Sequence, residues 1–306
     1  MALKIIFMGT PDFAVSILKS IYKSNNKILE VYTQPPKKKN RGQKILSSPV
    51  HKCADELNLK TRFPNSLESD NELDHFKSLN PDVVLVVAYG KILPKKLLNL
   101  GKVMFINLHA SLLPRWRGAA PIQRAIMNMD KETGVSVMKI VEKLDAGPVM
   151  LKSKIKITKE SNFIDISKQM ADVGASLVIK ALDLIKKNKA NFVDQDEREA
   201  TYAKKIDKSE SKIDWNEKAS KIIAKINSLN PNPGCWFKFF GSRIKIIKAK
   251  EIKITGNPGV VLDDELTIGC SENAIQILEI QKEGKKKVSS KEFLKGNKLQ
   301  KGLSLF

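Results

Sequence analysis

Val103-Met104-Phe105-Ile106-Asn107-Leu108-His109-Ala110-Ser111-Leu112-Leu113-Pro114 starts as an apolar run and ends in polar side chains ahead of a proline. The run 103–106 reads as a buried strand that delivers an amide and an imidazole two residues apart. Side chains alternate along a strand, so Asn107 and His109 point to the same side. In a parallel α/β sheet both reach the crevice beyond the strand's carboxyl end, where such folds bind ligands. Leu112-Leu113-Pro114 forces an irregular loop there instead of a helix. An isolated Asn-x-His is ordinarily a solvated strand end, but two features weigh against that here. The chain has three histidines, His51, His75 and His109, and only His109 follows a strongly apolar strand. An acidic partner stands in Glu142-Lys143-Leu144-Asp145-Ala146-Gly147-Pro148, a turn-like segment after the strand-like stretch 135–141. The two strand ends together supply an Asn-His-Asp cluster in which the carboxylate orients the imidazole.

Outward from this strand, the first two-thirds of the chain alternates short apolar runs with helical patterns, as parallel α/β units do. Segments 4–8, 29–33, 83–87, 103–108 and 135–140 read as strands, and 13–23 and 120–127 as helices. A longer helix is expected over 163–185, where Phe163, Ile166, Met170, Val173, Leu177, Ala181 and Leu184 recur at steps of three and four. After residue 203 the chain turns polar and lysine-rich, and 204–212 reads as a linker between a domain at 1–203 and a second at 213–306. The second domain begins with a helix at 218–229. Short strands follow at 236–240, 243–249, 259–262 and 274–281, punctuated by Gly and Pro as in a small β-barrel.

A chain of 306 residues exceeds one typical core, and 42% hydrophobic residues suffice for globular folding. No run approaches the roughly 18 apolar residues of a membrane span. The apolar run after Met1 is too short for a signal sequence. Three cysteines without a CxxC pair argue against a disulfide framework or zinc site and fit a reducing cytoplasm. The net charge of +21 favours a polyanionic partner, nucleic acid first, although a lysine-rich genome gives the same excess. Residues 204–306 carry 21 Lys and Arg against 12 Asp and Glu, a denser excess than the 33 against 21 before them. Their sharpest cluster, Lys282-Glu283-Gly284-Lys285-Lys286-Lys287, fits either a solvated hairpin tip or a phosphate contact. Gln34-Pro35-Pro36-Lys37-Lys38-Lys39-Asn40-Arg41-Gly42-Gln43-Lys44 is too polar and breaker-rich for helix or strand, and puts five cations into eight residues. Gly9-Thr10-Pro11-Asp12 lacks GxGxxG spacing, which speaks against a dinucleotide cofactor.

Asn107-x-His109, the loop Ser111-Leu112-Leu113-Pro114, Arg117-Gly118-Ala119-Ala120-Pro121-Ile122-Gln123 and Asp145-Ala146-Gly147 together resemble the 10-formyltetrahydrofolate-dependent formyltransferases. Phe7-Met8-Gly9-Thr10-Pro11-Asp12-Phe13-Ala14 resembles that family's first strand-turn-helix, and Asn230-Pro231-Asn232-Pro233-Gly234-Cys235-Trp236 the start of its carboxyl-terminal domain. The resemblance covers essentially the whole chain. It implies a Rossmann-like, mostly parallel α/β domain followed by a small OB-like barrel. It also implies 10-formyltetrahydrofolate as formyl donor, with no metal. The implied catalytic residues are Asn107, His109 and Asp145; the implied folate wall is Ser111, Leu112, Leu113, Pro114, Tyr89 and Gly90. Tyr89 equally reads as a packing aromatic. The basic insert and the basic second domain favour the branch acting on methionyl-initiator tRNA, contacted by Lys37, Lys38, Lys39, Arg41, Lys44, Lys285, Lys286 and Lys287. The expected form is a cytoplasmic monomer with no membrane partner. A sugar-nucleotide acceptor is the alternative, and a non-catalytic RNA-binding protein on the same scaffold is a third reading.

Overall fold

A computed structural model describes residues 1–39, 44–297 and 299–306. The chain divides into two compact units. The first comprises Met1–Gly118, Thr133–Ile155 and Ser167–Ala203; the second comprises Ala119–Glu132, Lys156–Ile166 and Lys204–Phe306.

The first unit is built on a seven-stranded sheet of β1 (Lys4–Gly9), β2 (Lys27–Tyr32), β3 (Thr61–Arg62), β4 (Val83–Val87), β5 (Met104–His109), β6 (Glu132–Lys139) and β7 (Val149–Lys156). Its order is β7-β6-β5-β4-β1-β2-β3. From β3 through β5 every pairing is parallel, and β6 joins β5 antiparallel. Strand β4, Val-Val-Leu-Val-Val, is buried along its whole length, as a strand covered on both faces must be. The chain leaves β2 for the edge strand β3 and then crosses to β4 on the other side of β1. The topological switch therefore falls between β1 and β4, and the ligand crevice at their carboxyl ends. Thr10 Oγ1 donates to Tyr89 O at 2.8 Å, and Gln34 Nε2 donates to Tyr89 O and Gly90 O, tying those strand ends together.

Helices α1 (Asp12–Tyr22), α2 (Pro49–Glu56) and α3 (Asp70–Leu79) follow the early strands. In α1 the residues Ala14, Ile17, Leu18 and Ile21 form the buried stripe. In α2, Pro49 occupies the first turn and the Ser48 hydroxyl accepts from His51 N, satisfying one of the open donors. Helix α4 (Pro121–Met127) belongs to the second unit, and α5 (Phe163–Lys186) is the expected long helix. Its most buried positions are Ile166, Met170, Val178, Ala181 and Leu182, a stripe rotated from the one read in the sequence. Gly174 is the cause: a Cβ there would stand 2.7 Å from Leu108 Cδ2, so its missing side chain turns that face toward β5.

In the second unit, β8 (Trp236–Phe239), β9 (Ser242–Ile252), β10 (Thr267–Gly269), β11 (Ala274–Lys282) and β12 (Lys287–Ser289) make an antiparallel sheet. Its order is β8-β9-β11-β10, with β12 also on β11. Register shifts in β9 around Ile246 and Lys248 curl it, as bulges do, and the small β domain is a half-barrel. Helix α6 (Ala219–Leu229) lays Ile222, Ile226 and Leu229 into a core with Trp215, Phe237, Ile244, Ile277 and Phe293, the last from α7 (Ser290–Lys295). Each such side chain stabilises by about 1.5–3 kcal/mol on full burial. In 204–212, Lys204 O accepts from Arg124 Nε, Glu210 pairs with Arg124 at 2.6 Å, and Asp207 caps a short 3-10 turn.

Two further expectations about the fold need correction. Within the basic insert, Lys37–Lys39 pairs antiparallel with Lys44–Leu46. The main chain carries a ladder, and composition alone does not veto it. Segment 259–262 makes isolated bridges, not a strand, because Pro258 and the left-handed Gly259 (φ 73°) interrupt it. Among the described residues no helix is long and apolar enough to cross a membrane.

Candidate active site

The end of β5 carries the cluster read from the sequence. Asn107 pairs with Val86 of β4 on one side and Met138 of β6 on the other, and His109 stands opposite Ser136. His109 is 6% exposed. Its Nε2 lies 2.9 Å from Trp116 O, and a carbonyl only accepts, so this nitrogen carries the proton and donates it. Nδ1 faces Asp145 Oδ2 at 3.6 Å, an ion pair once the ring takes a second proton. The same carboxylate oxygen accepts from Gly118 N at 2.8 Å. The Asn107 carboxamide has no hydrogen-bond partner among the described residues and is half-buried, so its donors remain for another molecule.

Local chemistry explains why these groups stay in place. The turn bearing Asp145 passes so close to β6 that a Cβ on Gly147 would fall 1.8 Å from Lys139 O. Gly118, at φ 116°, packs on Ala203 O, which a Cβ there would approach to 2.9 Å. Arg117 beside it is fully buried. Its guanidinium reaches Gln195 Oε1 through Nε (3.1 Å) and Nη2 (2.9 Å), and Glu197 through Nη1 (3.1 Å) and Nη2 (2.9 Å). Burial pulls the Arg117 pKa down, but the bonds to Glu197 and Tyr202 outweigh it and hold the pKa above its ordinary value. In return Arg117, aided by Lys143, holds the Glu197 carboxyl down to about 2.

The loop after β5 is tied to β6. Buried Ser136 donates its hydroxyl to Ser111 O at 2.7 Å and accepts from Leu113 N at 3.1 Å, and Lys152 Nζ donates to Leu113 O. Ser111 Oγ turns inward to Arg115 O. Ser111 and Leu113 are buried, so of the expected folate wall only Leu112 and Pro114 offer partly exposed side chains on this loop. The Tyr89 ring is buried in the core beside Phe105 and Val86, and burial, with Glu72 next, pushes its hydroxyl up to about 12. What Tyr89 and Gly90 contribute at the strand ends is therefore main chain.

Of the expected RNA contacts, Lys37 is exposed and donates to Gln34 Oε1 at 2.6 Å. Arg41 lies outside the described residues, as do the side chains of Lys38, Lys39 and Lys44. Lys285 and Lys286 are exposed between β11 and β12, and exposed Lys287 begins β12 and pairs with Glu279 at 3.5 Å. On the same unit an open groove of about 890 Å³ is lined by further lysines, among them Lys159, Lys245, Lys248 and Lys250. Sequence reading passed over this groove because Lys245, Lys248 and Lys250 are spread along β9 and Lys159 stands far from them in sequence, with no cluster to mark them. It also passed over Gln195 and Glu197, roughly 50 to 80 residues from their partners and in no motif.

Residues 3–182 match the formyl transferase family and residues 205–298 match its carboxyl-terminal domain. The methionyl-tRNA formyltransferase of Pelagibacter ubique is 50% identical over 304 residues, covering 99% of this chain and 98% of that protein. That of Parvibaculum lavamentivorans is 42% identical, covering 99% and 100%. Among solved structures, HypX from Aquifex aeolicus in complex with tetrahydrofolic acid has a TM-score of 0.65 at 16% identity, over 96% of this chain and 47% of that one. The methionyl-tRNA formyltransferase from Clostridium thermocellum has a TM-score of 0.59 at 18% identity, over 81% and 93%. Likeness at that identity is likeness of fold.

Proposed function

This chain belongs to the formyl transferase family, whose two domains it carries, and on that premise we propose that it moves the formyl group of 10-formyltetrahydrofolate to the α-amine of methionyl-initiator tRNA. The observation that carries this reading is the His109 imidazole set between the Trp116 carbonyl and the Asp145 carboxylate, with an unpartnered Asn107 amide two residues before it. The two relatives that share 42% and 50% of the sequence over nearly its whole length are named for methionyl-tRNA. A sugar nucleotide is the second acceptor to test, because a sugar 3N-formyltransferase shares the fold (TM-score 0.66, 19% identity).

The residues fit a folate donor. Asn107 holds free donors, and half-buried Leu112 and Pro114 stand on the loop that leaves its strand. When bound, the donor supplies an electrophilic formyl carbon. Asn107 donates its amide N–H to the formyl oxygen as negative charge gathers there, a contribution commonly worth about 3–4 kcal/mol of barrier. His109 gives its Nε2–H to the same oxygen once that oxygen displaces Trp116 O as acceptor. As imidazolium it also gives the departing nitrogen the proton that it needs, and the ring is restored by the proton that the attacking α-amine sheds as it becomes the formamide. Asp145 keeps the ring oriented and balances its charge across the 3.6 Å contact. All of these groups come from one chain, so the proposed step needs no residue from a second copy. Three free, buried cysteines accord with a reducing cytoplasm.

The basic surfaces hold the acceptor in this reading. Lys285, Lys286 and Lys287, and the insert 37–44 with Arg41, meet phosphates. Lysine supplies affinity there, and Arg41 a more directional contact. The test offers the protein 10-formyltetrahydrofolate with methionyl-initiator tRNA, methionyl-elongator tRNA or a nucleotide-linked amino sugar. Formylation of the initiator alone is the expected result. Formylation of the amino sugar alone overturns the reading.

A further inference from the structure

His109 faces two acceptors, and both stand on left-handed backbone. Trp116, whose carbonyl meets Nε2, has φ 60°; Asp145, whose carboxylate meets Nδ1, has φ 47°. Non-glycine residues persist in that region only where their surroundings over-determine them. The surroundings here come from residues 193–203, which lie between the two family matches, one ending at 182 and the other beginning at 205. Val193 exchanges main-chain hydrogen bonds with Val149 at 2.8 and 2.9 Å, anchoring one end. At the other end Tyr202 and Ala203 pair in parallel with Arg117 and Gly118. Between these anchors, Thr201 Oγ1 accepts from Trp116 N at 2.9 Å and Thr201 O from Arg117 N at 2.8 Å.

Beside Glu197, which joins Arg117 to Lys143, the Gln195 side chain of this strap touches both flanks of the imidazole. Its Nε2 donates to Asp145 O at 2.8 Å and to Gly147 O at 2.6 Å. Its Oε1 accepts from Arg117, the residue after Trp116. A carboxamide alone offers two donors and an acceptor in one plane; a glutamate there satisfies Arg117 but turns an acceptor onto two carbonyls.

We propose that Gln195 is a positioning residue for formyl transfer: it fixes the Asp145 turn relative to the Trp116–Arg117 loop, and so holds both acceptors of His109 in register. This rests on the formyl-transfer reading. A purely structural role, seating the buried Arg117, predicts that Q195E is harmless, because a carboxylate pairs with a guanidinium at least as well as an amide does. Positioning predicts the reverse, because misplacing a catalytic group by about 1 Å costs up to about 10²-fold.

The experiment measures kcat, KM for each substrate and Tm for wild type, Q195E and Q195M, and kcat for D145A and D145A/Q195E. The expected result is a kcat lowered by about 10- to 100-fold in Q195E, with KM and Tm held, and no further loss when Q195E is added to D145A. Q195M, volume-matched and uncharged, shows the same fall in kcat and covers the case in which Q195E does not fold. Wild-type kcat in either folded variant, or a loss that multiplies with that of D145A, overturns the proposal. Failure of the wild type itself to formylate methionyl-initiator tRNA counts against the functional reading, whereas transfer by wild type with undiminished Q195E counts against the inference alone.

Discussion

In the first unit Arg117 is fully buried with all three guanidinium nitrogens on partners, whereas in the second unit Lys285, Lys286 and Lys287 stand exposed at the head of a hairpin. Both regions are polar and both enter the proposed function, but they are specified differently. Around Arg117 each group has its own place: His109 between two acceptors, Asp145 on strained backbone, Gly147 where no Cβ fits. Around the lysines only the sum of charge is specified, since a phosphate backbone is attracted by cations wherever they are presented. Substitution in the first region should stop chemistry, and substitution in the second should loosen grip by degrees.

The sharpest way to break this contrast is His109→Ala, which should lower kcat by about 10²–10⁴-fold while leaving tRNA affinity intact, as read by single-turnover transfer and filter binding. Asn107→Ala comes next, at about 10²–10³-fold in kcat, because it removes one donor aimed at the developing oxyanion. A comparable fall in tRNA affinity in either variant breaks the contrast.

On the basic side, replacing Lys285, Lys286 and Lys287 with Gln should raise KM for tRNA and leave kcat alone. Each lysine that meets a phosphate should reduce the slope of log affinity against log salt by about one. Lys287, already paired with Glu279, should contribute least. An unchanged salt slope in the triple variant moves the grip elsewhere, to the groove lysines Lys245 and Lys248 first.

The smallest effect belongs to Glu197. Its carboxyl falls from 4.5 to about 2 on folding, under hydrogen bonds from Arg117 first and Lys143 second. A depressed carboxyl contributes stability that is fully present above its unfolded value and is lost as pH falls through its folded one. Glu197→Gln should therefore flatten the Tm-against-pH curve between 4.5 and about 2 and leave the slope near neutrality unchanged. Retention of the wild-type acid slope in the variant contradicts the assignment.

The legible part of this molecule was the part written in local pattern. Val83–Val87 announces a buried strand by composition, and Asn107 with His109 announces a ligand-facing strand end by alternation. Asp145 was found because a turn-like segment follows a strand-like run. Gln195 carries no such mark: its partners Arg117 and Asp145 are 78 and 50 residues away, and a glutamine in a loop looks the same whether it holds a turn or meets water. The α5 stripe shares Ile166, Met170 and Ala181 with the expected one but is rotated by part of a turn, because Gly174 leaves no apolar signal although it fits against Leu108. The ladder between Lys37–Lys39 and Lys44–Leu46 escaped because main-chain pairing was set against a composition that disfavours it. Local chemistry is visible in order along the chain; tertiary hydrogen bonding is not.

One measurement tests the division most directly: single-turnover formyl transfer against methionyl-initiator tRNA concentration for wild type, His109→Ala and the triple Lys285, Lys286, Lys287→Gln variant. The predicted result is a lower plateau at an unchanged half-saturating concentration for His109→Ala, and an unchanged plateau at a higher half-saturating concentration for the triple variant. If plateau and half-saturation move together in both variants, chemistry and grip are not separately housed, and the account is contradicted.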